Sequence, residues 1–107
     1  MHRISAIELA EKLEQEDPLL LDVREPWEFE ICHIEGSINI PMGQIPGRME
    51  QIRDLQTADE TVVICHHGIR SQQVINYLQQ QSQTVLINLD GGVDAWARSV
   101  DPDMPVY

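Results

Sequence analysis

Cysteine is scarce in this chain: only Cys32 and Cys65 carry a thiol among 107 residues. Two do not make a disulfide framework, and a cysteine beside a loop rather than in a Cys-rich scaffold fits a reducing compartment. Aromatic residues make up 5% of the sequence, so the core has to be built from aliphatic side chains. Basic residues are few as well, with seven Lys and Arg against 18 Asp and Glu, for a net charge of −11. That balance repels phosphates and argues against nucleic acid as a partner. No apolar run approaches the length of a membrane span, which argues against a membrane partner. The opening residues lack the charged, apolar and small-residue order of a secretory signal. Together these absences predict a soluble cytoplasmic protein, a single domain over residues 1–107 that buries one core without metal or disulfide staples.

A more local absence is the more informative one. Residues 1–60 hold 14 of the 18 carboxylates and residues 90–103 hold the other four. From Thr61 to Leu89 there is no Asp or Glu, only Arg70 and two histidines. Buried parallel strands and a Gln-rich helix exclude acids for packing reasons alone. A site kept clear of carboxylates so that an anion can approach would leave the same pattern. Both readings stand at this level.

What the chain does contain is alternation of strand-like and helix-like segments. Ser5 and Glu8 have capping-box spacing and open a helix from about Ala6 to Glu16, with Ile7, Ala10 and Leu13 on one face, stopped by Asp17-Pro18. Leu19 to Val23 is a short apolar run of strand length, and Pro26 suits the first turn of a short helix to about Ile31. Ser37 to Ile40 reads as a strand ended by Pro41, and Pro46 with Met49, Ile52 and Leu55 as a helix through about Asp54. Thr61 to Cys65 is the central strand. Ile69 to Gln81 is helical, with Val74, Tyr77, Leu78 and Gln81 near one face. Val85 to Leu89 is the last strand, Asp90-Gly91-Gly92 turns into a final helix with Val93 and Trp96, and Pro102 and Pro105 mark an extended tail. Continuous apolar strands alternating with helices predict an α/β fold with a parallel sheet covered on both faces.

Ligands of such sheets bind beyond the carboxyl ends of the strands, and Cys65, Asp22 and Asp90 all fall there. Cys65 ends a strand and enters the tight loop His66-His67-Gly68 before a helix begins. Backbone N–H groups and the positive end of a helix converge at such a place, so Cys65 reads as a nucleophilic thiolate, against the alternative of an inert buried hydrophobe that a free cysteine more often is. Gly68 permits the tight loop, Arg70 adds a fixed cation, and Ser71 is positioned to cap the helix. Arg70 either binds substrate or turns away to pair with an acid on a neighbouring helix. His66 and His67 either donate hydrogen bonds or a proton to a bound group, or simply fill loop positions. No metal is expected, because the pairs Cys32-His33 and Cys65-His66-His67 lack the two-to-four-residue separation of zinc ligands. A Cys32–Cys65 disulfide is not expected either, since the helix from Pro26 runs roughly 9 Å away from the strand ends and carries Cys32 toward the opposite edge of the sheet.

With these residues in view the chain resembles the rhodanese family over essentially its whole length. Leu21 to Phe29 with His33 to Pro41 is similar to that family's amino-terminal motif. Cys65 to Ser71 is similar to its active-site loop, and Asp90-Gly91-Gly92 with Ala95-Trp96 to its carboxyl-terminal motif. Cys32 departs from the pattern, where glycine is usual before the histidine. The resemblance implies a three-layer α/β/α fold around a central five-stranded parallel sheet. It also implies that Cys65 is the catalytic residue and carries sulfane sulfur as a persulfide. His66, His67, Gly68, Ile69 and Arg70 would bind substrate through the loop, and Asp22, Arg24 and His33 would be mainly structural. The implied activity is that of a thiosulfate sulfurtransferase, with no cofactor, a small-molecule donor such as thiosulfate, cyanide or a thiol as acceptor, and room for a sulfur-relay protein. A non-turnover sulfur carrier is the alternative. A phosphatase or arsenate reductase is disfavoured, because such enzymes place five residues between cysteine and arginine whereas four separate Cys65 from Arg70.

Overall fold

The computed structural model describes residues 2–81 and 84–107. Five strands, β1 (Arg3–Ile4), β2 (Leu19–Asp22), β3 (Ile38–Asn39), β4 (Glu60–Ile64) and β5 (Val85–Leu89), form one parallel sheet in the order β1-β5-β4-β2-β3. Four α-helices connect them, α1 (Ala6–Leu13), α2 (Pro26–Ile31), α3 (Met49–Leu55) and α4 (Ile69–Leu78), and α5 (Gly92–Ser99) follows the last strand. The three-layer fold implied by the sequence is the one observed. The fifth strand, β1, is two residues long and too short for its periodicity to be legible. It pairs Arg3 with Asn88 and Ile4 with Leu89 at the edge of the sheet.

Side chains of a strand alternate between faces, and here each face has its own helical layer. Leu20, Val62, Ile64, Ile87 and Leu89 pack with Ala6, Leu9, Val93 and Trp96 on the α1/α5 side. Leu21, Val23, Val63, Cys65 and Leu86 pack with Ile52, Val74, Ile75 and Leu78 on the α3/α4 side. Because both faces are covered, β4 reads as an unbroken apolar run. The register sets Asp22 level with Ile64 and Val63 level with Asn88, which brings the carboxyl ends of β2, β4 and β5 to one edge.

Several boundaries differ from the sequence-based expectation. α1 closes its capping box through Ser5 and Glu8 but ends at Leu13, and residues 14 and 15 form a turn ahead of Asp17-Pro18. Its buried face is Ala6 and Leu9 with Ala10 and Leu13 partly covered, while Ile7 is 55% exposed. With Leu9 facing the sheet, Ile7 lies about 200° away around the helix and points outward. α4 ends at Leu78 rather than Gln81, and Ile75 replaces the 39%-exposed Tyr77 on its buried face. Two 3₁₀ turns, Met42–Gln44 and Pro46–Arg48, precede α3. The tail, expected to be extended, instead turns at Pro102 and Asp103, where Met104 donates its N–H to the Asp101 carbonyl at 3.0 Å and its side chain is buried in the α1/α5 layer.

The Asp90-Gly91-Gly92 turn has a specific mechanical role. Val93 and Asp94 donate their N–H groups to the carbonyls of Cys65 and His66 at 2.9 and 3.2 Å, so the start of α5 is fastened to the end of β4. Gly92 has φ +58°, and a Cβ there would collide with those same two carbonyl groups. Gly92→Ala should therefore cost at least about 3 kcal/mol, from left-handed strain and backbone overlap together, read as a lower urea midpoint.

Candidate active site at the Cys65 loop

Cys65 follows the last residue of β4 and points toward the α3/α4 layer, with 1% of its surface exposed. Its Sγ accepts the Gly68 N–H at 2.9 Å and lies 3.3 Å from Ser71 Oγ. The chain can turn back on the sulfur within three residues because Gly68 sits at φ +104°, a conformation that side chains oppose. Gly68 is also the residue before α4, so its N–H belongs to the positive end of that helix.

Ser71 does not cap α4. It is fully buried, and its hydroxyl donates to Asn88 Oδ1 on β5. Asn88 Nδ2 in turn donates to the Gly68 carbonyl at 3.0 Å, so one amide on β5 braces both groups that touch the sulfur. Asn88 escaped the sequence reading because a buried polar residue inside an apolar strand has no periodic signature.

His66 and His67 point in different surroundings. His66 stacks on Tyr107 at 4.0 Å and 4°, with the tilted His67 ring 4.0 Å away on its own account. His67 is exposed and His66 is half-buried. His66 Nε2 is shut off from solvent and is without a hydrogen-bond partner. Burial, with a smaller contribution from His67, holds the His66 pKa below the ordinary histidine value, so its ring is neutral at pH 7. Ile69 is 71% exposed.

Arg70 takes the second of its two readings in contact terms. Its guanidinium makes a two-pronged ion pair with Glu28 on α2, Nη1 to Oε1 at 2.6 Å and Nη2 to Oε2 at 2.9 Å. The Glu28 side chain is 5% exposed. It also accepts the Glu25 N–H at 2.9 Å and the Tyr107 hydroxyl at 2.8 Å. Tyr107 in turn accepts from Arg24 Nη1 at 2.8 Å. Arg24 is fully buried against Asp22, with Nη2 2.7 Å from Oδ2, and donates to the Cys32 carbonyl at 2.7 Å. A continuous chain of charged hydrogen bonds thus runs Asp22–Arg24–Tyr107–Glu28–Arg70 beneath the loop. The segment from Thr61 to Leu89 is free of acids, but the folded site is not, because α2 delivers Glu28 to it.

Glu28 lies inside the amino-terminal motif and Tyr107 at the far end of the chain, and nothing in the spacing links either to Arg70. His33 is exposed and stacks on Phe29 at 3.9 Å, with Nδ1 2.8 Å from the Phe29 carbonyl, away from the sulfur. Cys32 packs in the α1/α5 layer and Cys65 in the other, and both thiols are free. Cys32 is not at the far edge of the sheet as expected, since Arg24 reaches its carbonyl. It is the sheet itself that lies between the two sulfurs. Among the described residues no group of three or more His, Cys, Asp or Glu is arranged to hold a metal ion.

A family model described as the rhodanese-like domain matches residues 5–99. The chain belongs to the rhodanese-like domain family. It is 36% identical over 110 residues to the adenylyltransferase and sulfurtransferase MOCS3 of Drosophila grimshawi, covering 98% of this chain and 24% of that protein. The chain therefore spans about a quarter of the length of that relative. The crystal structure of a rhodanese-like domain protein from Staphylococcus aureus superposes with a TM-score of 0.80 at 28% identity, covering 100% of this chain and 99% of that one. A Staphylococcus saprophyticus protein gives a TM-score of 0.79 at 33% identity, covering 94% and 97%.

The Arg70 pair, with the Tyr107 and Glu25 bonds, pulls the Glu28 pKa down from 4.5 to about 2. A carboxyl whose pKa is depressed by folding contributes stability above its unfolded value, and that contribution is lost as pH falls through the folded value. The melting temperature should therefore fall between about pH 4.5 and pH 2, with part of that fall absent in Glu28→Gln. Equal slopes for the two proteins would mean that Glu28 is not held as the ionised partner.

Proposed function

We propose that this domain is a sulfurtransferase that moves sulfane sulfur from a donor such as thiosulfate to a thiophilic acceptor, cyanide or a thiol, through a Cys65 persulfide. The observation that carries the reading is Cys65 Sγ at the end of the central strand with the Gly68 N–H aimed at it from 2.9 Å. Membership of a family whose relatives include proteins named as sulfurtransferases supports it. The loop with four residues between Cys65 and Arg70 makes a ring suited to one extra sulfur atom rather than to a phosphoryl group.

The reaction is a double displacement. The Cys65 thiolate attacks the outer sulfur of thiosulfate, the donor S–S bond breaks, and sulfite leaves with the electron pair. The new Cys65–S–S⁻ carries the charge that the thiolate brought. The Gly68 N–H and the start of α4 are fixed dipoles that stabilise negative charge without reorganising. Cyanide or a thiolate then attacks the outer sulfur and restores the Cys65 thiolate. His66, neutral and unpartnered at Nε2, lines this loop together with the exposed His67 and the backbone of Gly68, Ile69 and Arg70. These groups would bind the donor and the transferred sulfur. No cofactor takes part. None of the described helices is long and apolar enough to cross a membrane, and a cytoplasmic reaction with small thiols fits this reading.

A carrier that exchanges sulfur with proteins is the second reading. It is favoured by three exposed apolar side chains, Trp27 at 60%, Ile69 at 71% and Val106 at 53%. Each is the chain neighbour of one member of the Glu28–Arg70–Tyr107 cluster, and exposed apolar side chains are surface of the kind that meets another protein.

Incubation with thiosulfate should add about 32 Da, one sulfur atom, to Cys65, and cyanide should remove it over many turnovers with ping-pong kinetics. Cys65→Ser should lower kcat by roughly 10⁴-fold or more. A mass adduct formed only from a persulfidated protein would select the carrier, and no adduct from any sulfur donor would defeat both readings.

A further inference from the structure

A loop that takes sulfur from thiosulfate, a dianion, gains from a free cation beside the nucleophile. Arg70, in the first turn of the helix that follows the Cys65 loop, is the cation in position here. It is already neutralised. Both of its terminal nitrogens are on the Glu28 carboxylate, which is 5% exposed and cannot swing into solvent. Glu28 is held from two further sides, by the Tyr107 hydroxyl and by the Glu25 N–H. Tyr107 is itself fixed by Arg24 and by its stack on His66. The second nearby cation, Arg24, is neutralised by Asp22. The His66 ring is neutral as well. The mouth of the loop therefore presents backbone dipoles and a closed ion pair rather than net positive charge, on a protein whose net charge is −11.

We propose that Glu28, braced by Tyr107, is a specificity-determining residue that sets how much negative charge the sulfur donor can carry. By cancelling Arg70 it turns the site away from dianions and toward donors with at most one negative charge, the chemistry of an organic persulfide R–S–SH and its anion. This deepens the sulfurtransferase reading and rests on it. With such a donor the Cys65 thiolate attacks the outer sulfur, the S–S bond of the donor breaks, and R–S⁻ leaves with the electron pair. The proton of R–S–SH stays on the transferred sulfur as Cys65–S–SH, so no oxidant or reductant is needed. The exposed apolar side chains of Trp27, Ile69 and Val106, chain neighbours of Glu28, Arg70 and Tyr107, agree with a donor that has a carbon skeleton. Thiosulfate has none.

The test is a charge cycle on the pair: wild type, Glu28→Gln, Arg70→Ala and the double variant, each assayed with thiosulfate and with cysteine persulfide. The quantity compared is the ratio of kcat/KM for the two donors, which cancels any general damage to the loop. Glu28→Gln uncovers one positive charge, worth roughly threefold for each negative charge on the donor, so about ninefold for thiosulfate and about threefold for the persulfide anion. The ratio should thus move about threefold toward thiosulfate, mainly in KM, and the gain should shrink as ionic strength rises. Arg70→Ala leaves a bare carboxylate and should move the ratio about threefold the other way. The double variant is neutral again and should return close to the wild-type ratio, an outcome that a packing role for Glu28 does not produce.

A ratio that stays constant across all four proteins while melting temperatures fall would overturn the proposal and leave Glu28 structural. So would a double variant displaced as far as either single one. Should Glu28→Gln fail to fold, Arg70→Ala against the double variant gives the same comparison across one charge. Wild-type protein that takes sulfur from neither donor would instead refute the sulfurtransferase reading itself, which the assay thereby keeps separate.

Discussion

The guanidinium of Arg24 has no access to water, and the site is assembled around it. Its Nε and Nη2 are bound to Asp22, Nη2 reaches the Cys32 carbonyl, and Nη1 reaches the Tyr107 hydroxyl. A buried charge in this state costs several kcal/mol to desolvate, which partners recover only when every donor is used. That constraint leaves few freedoms nearby. The residue after α2 must present its carbonyl to Arg24, and the last residue of the chain must return to the sheet edge. Glu28, one turn into α2, is then turned toward the loop. Arg70 meets it there. The orientation of the loop arginine is thus linked, one hydrogen bond at a time, to a charge just beyond the end of β2.

The sulfur is governed by a different set of forces. Cys65 lies on the α3/α4 face among apolar side chains, where a thiol is an inert hydrophobe unless something polar is aimed at it. Among the described residues, the polar groups that reach it are one backbone N–H and one hydroxyl, and both are braced by Asn88. The strand end carrying Cys65 is also clamped from the opposite side, because α5 donates its first amides to the Cys65 and His66 carbonyls. Fixed dipoles of this kind act on a charged sulfur without moving. The charges of Arg70 and Glu28 are paired with each other. The electrostatic character of the loop is that of oriented amides rather than of a free cation.

The site was partly legible in the sequence for a physical reason. Cys65, Gly68 and Arg70 lie within six residues, and a strand followed by a tight turn and a helix fixes their relation through local geometry alone. The same holds for Gly91-Gly92, where a close approach excludes any side chain. The role given to Ser71 was wrong because a hydroxyl at a helix start can turn outward to the backbone or inward to another strand, and only β5 decides. Glu28, Asn88 and Tyr107 belong to three different elements. Their meeting at the loop depends on strand order, which the pattern of apolar residues does not encode. The acid-free run from Thr61 to Leu89 was misleading on this point, since a carboxylate 42 positions before Arg70 completes the pair.

The sequence by itself determined the alternation of strands and helices, the parallel sheet and the place of Cys65 at its carboxyl edge. Hydrophobic period, capping pairs and turn residues are short-range properties, and each acts within a few positions of where it is written. The tertiary structure decided which charges stand beside the sulfur. It set β4 between β2 and β5, brought Asn88 behind the loop, and folded Tyr107 onto His66 and Glu28. Coulomb interactions depend on distance in space rather than along the chain, so the neutralisation of Arg70 came into existence only with the fold.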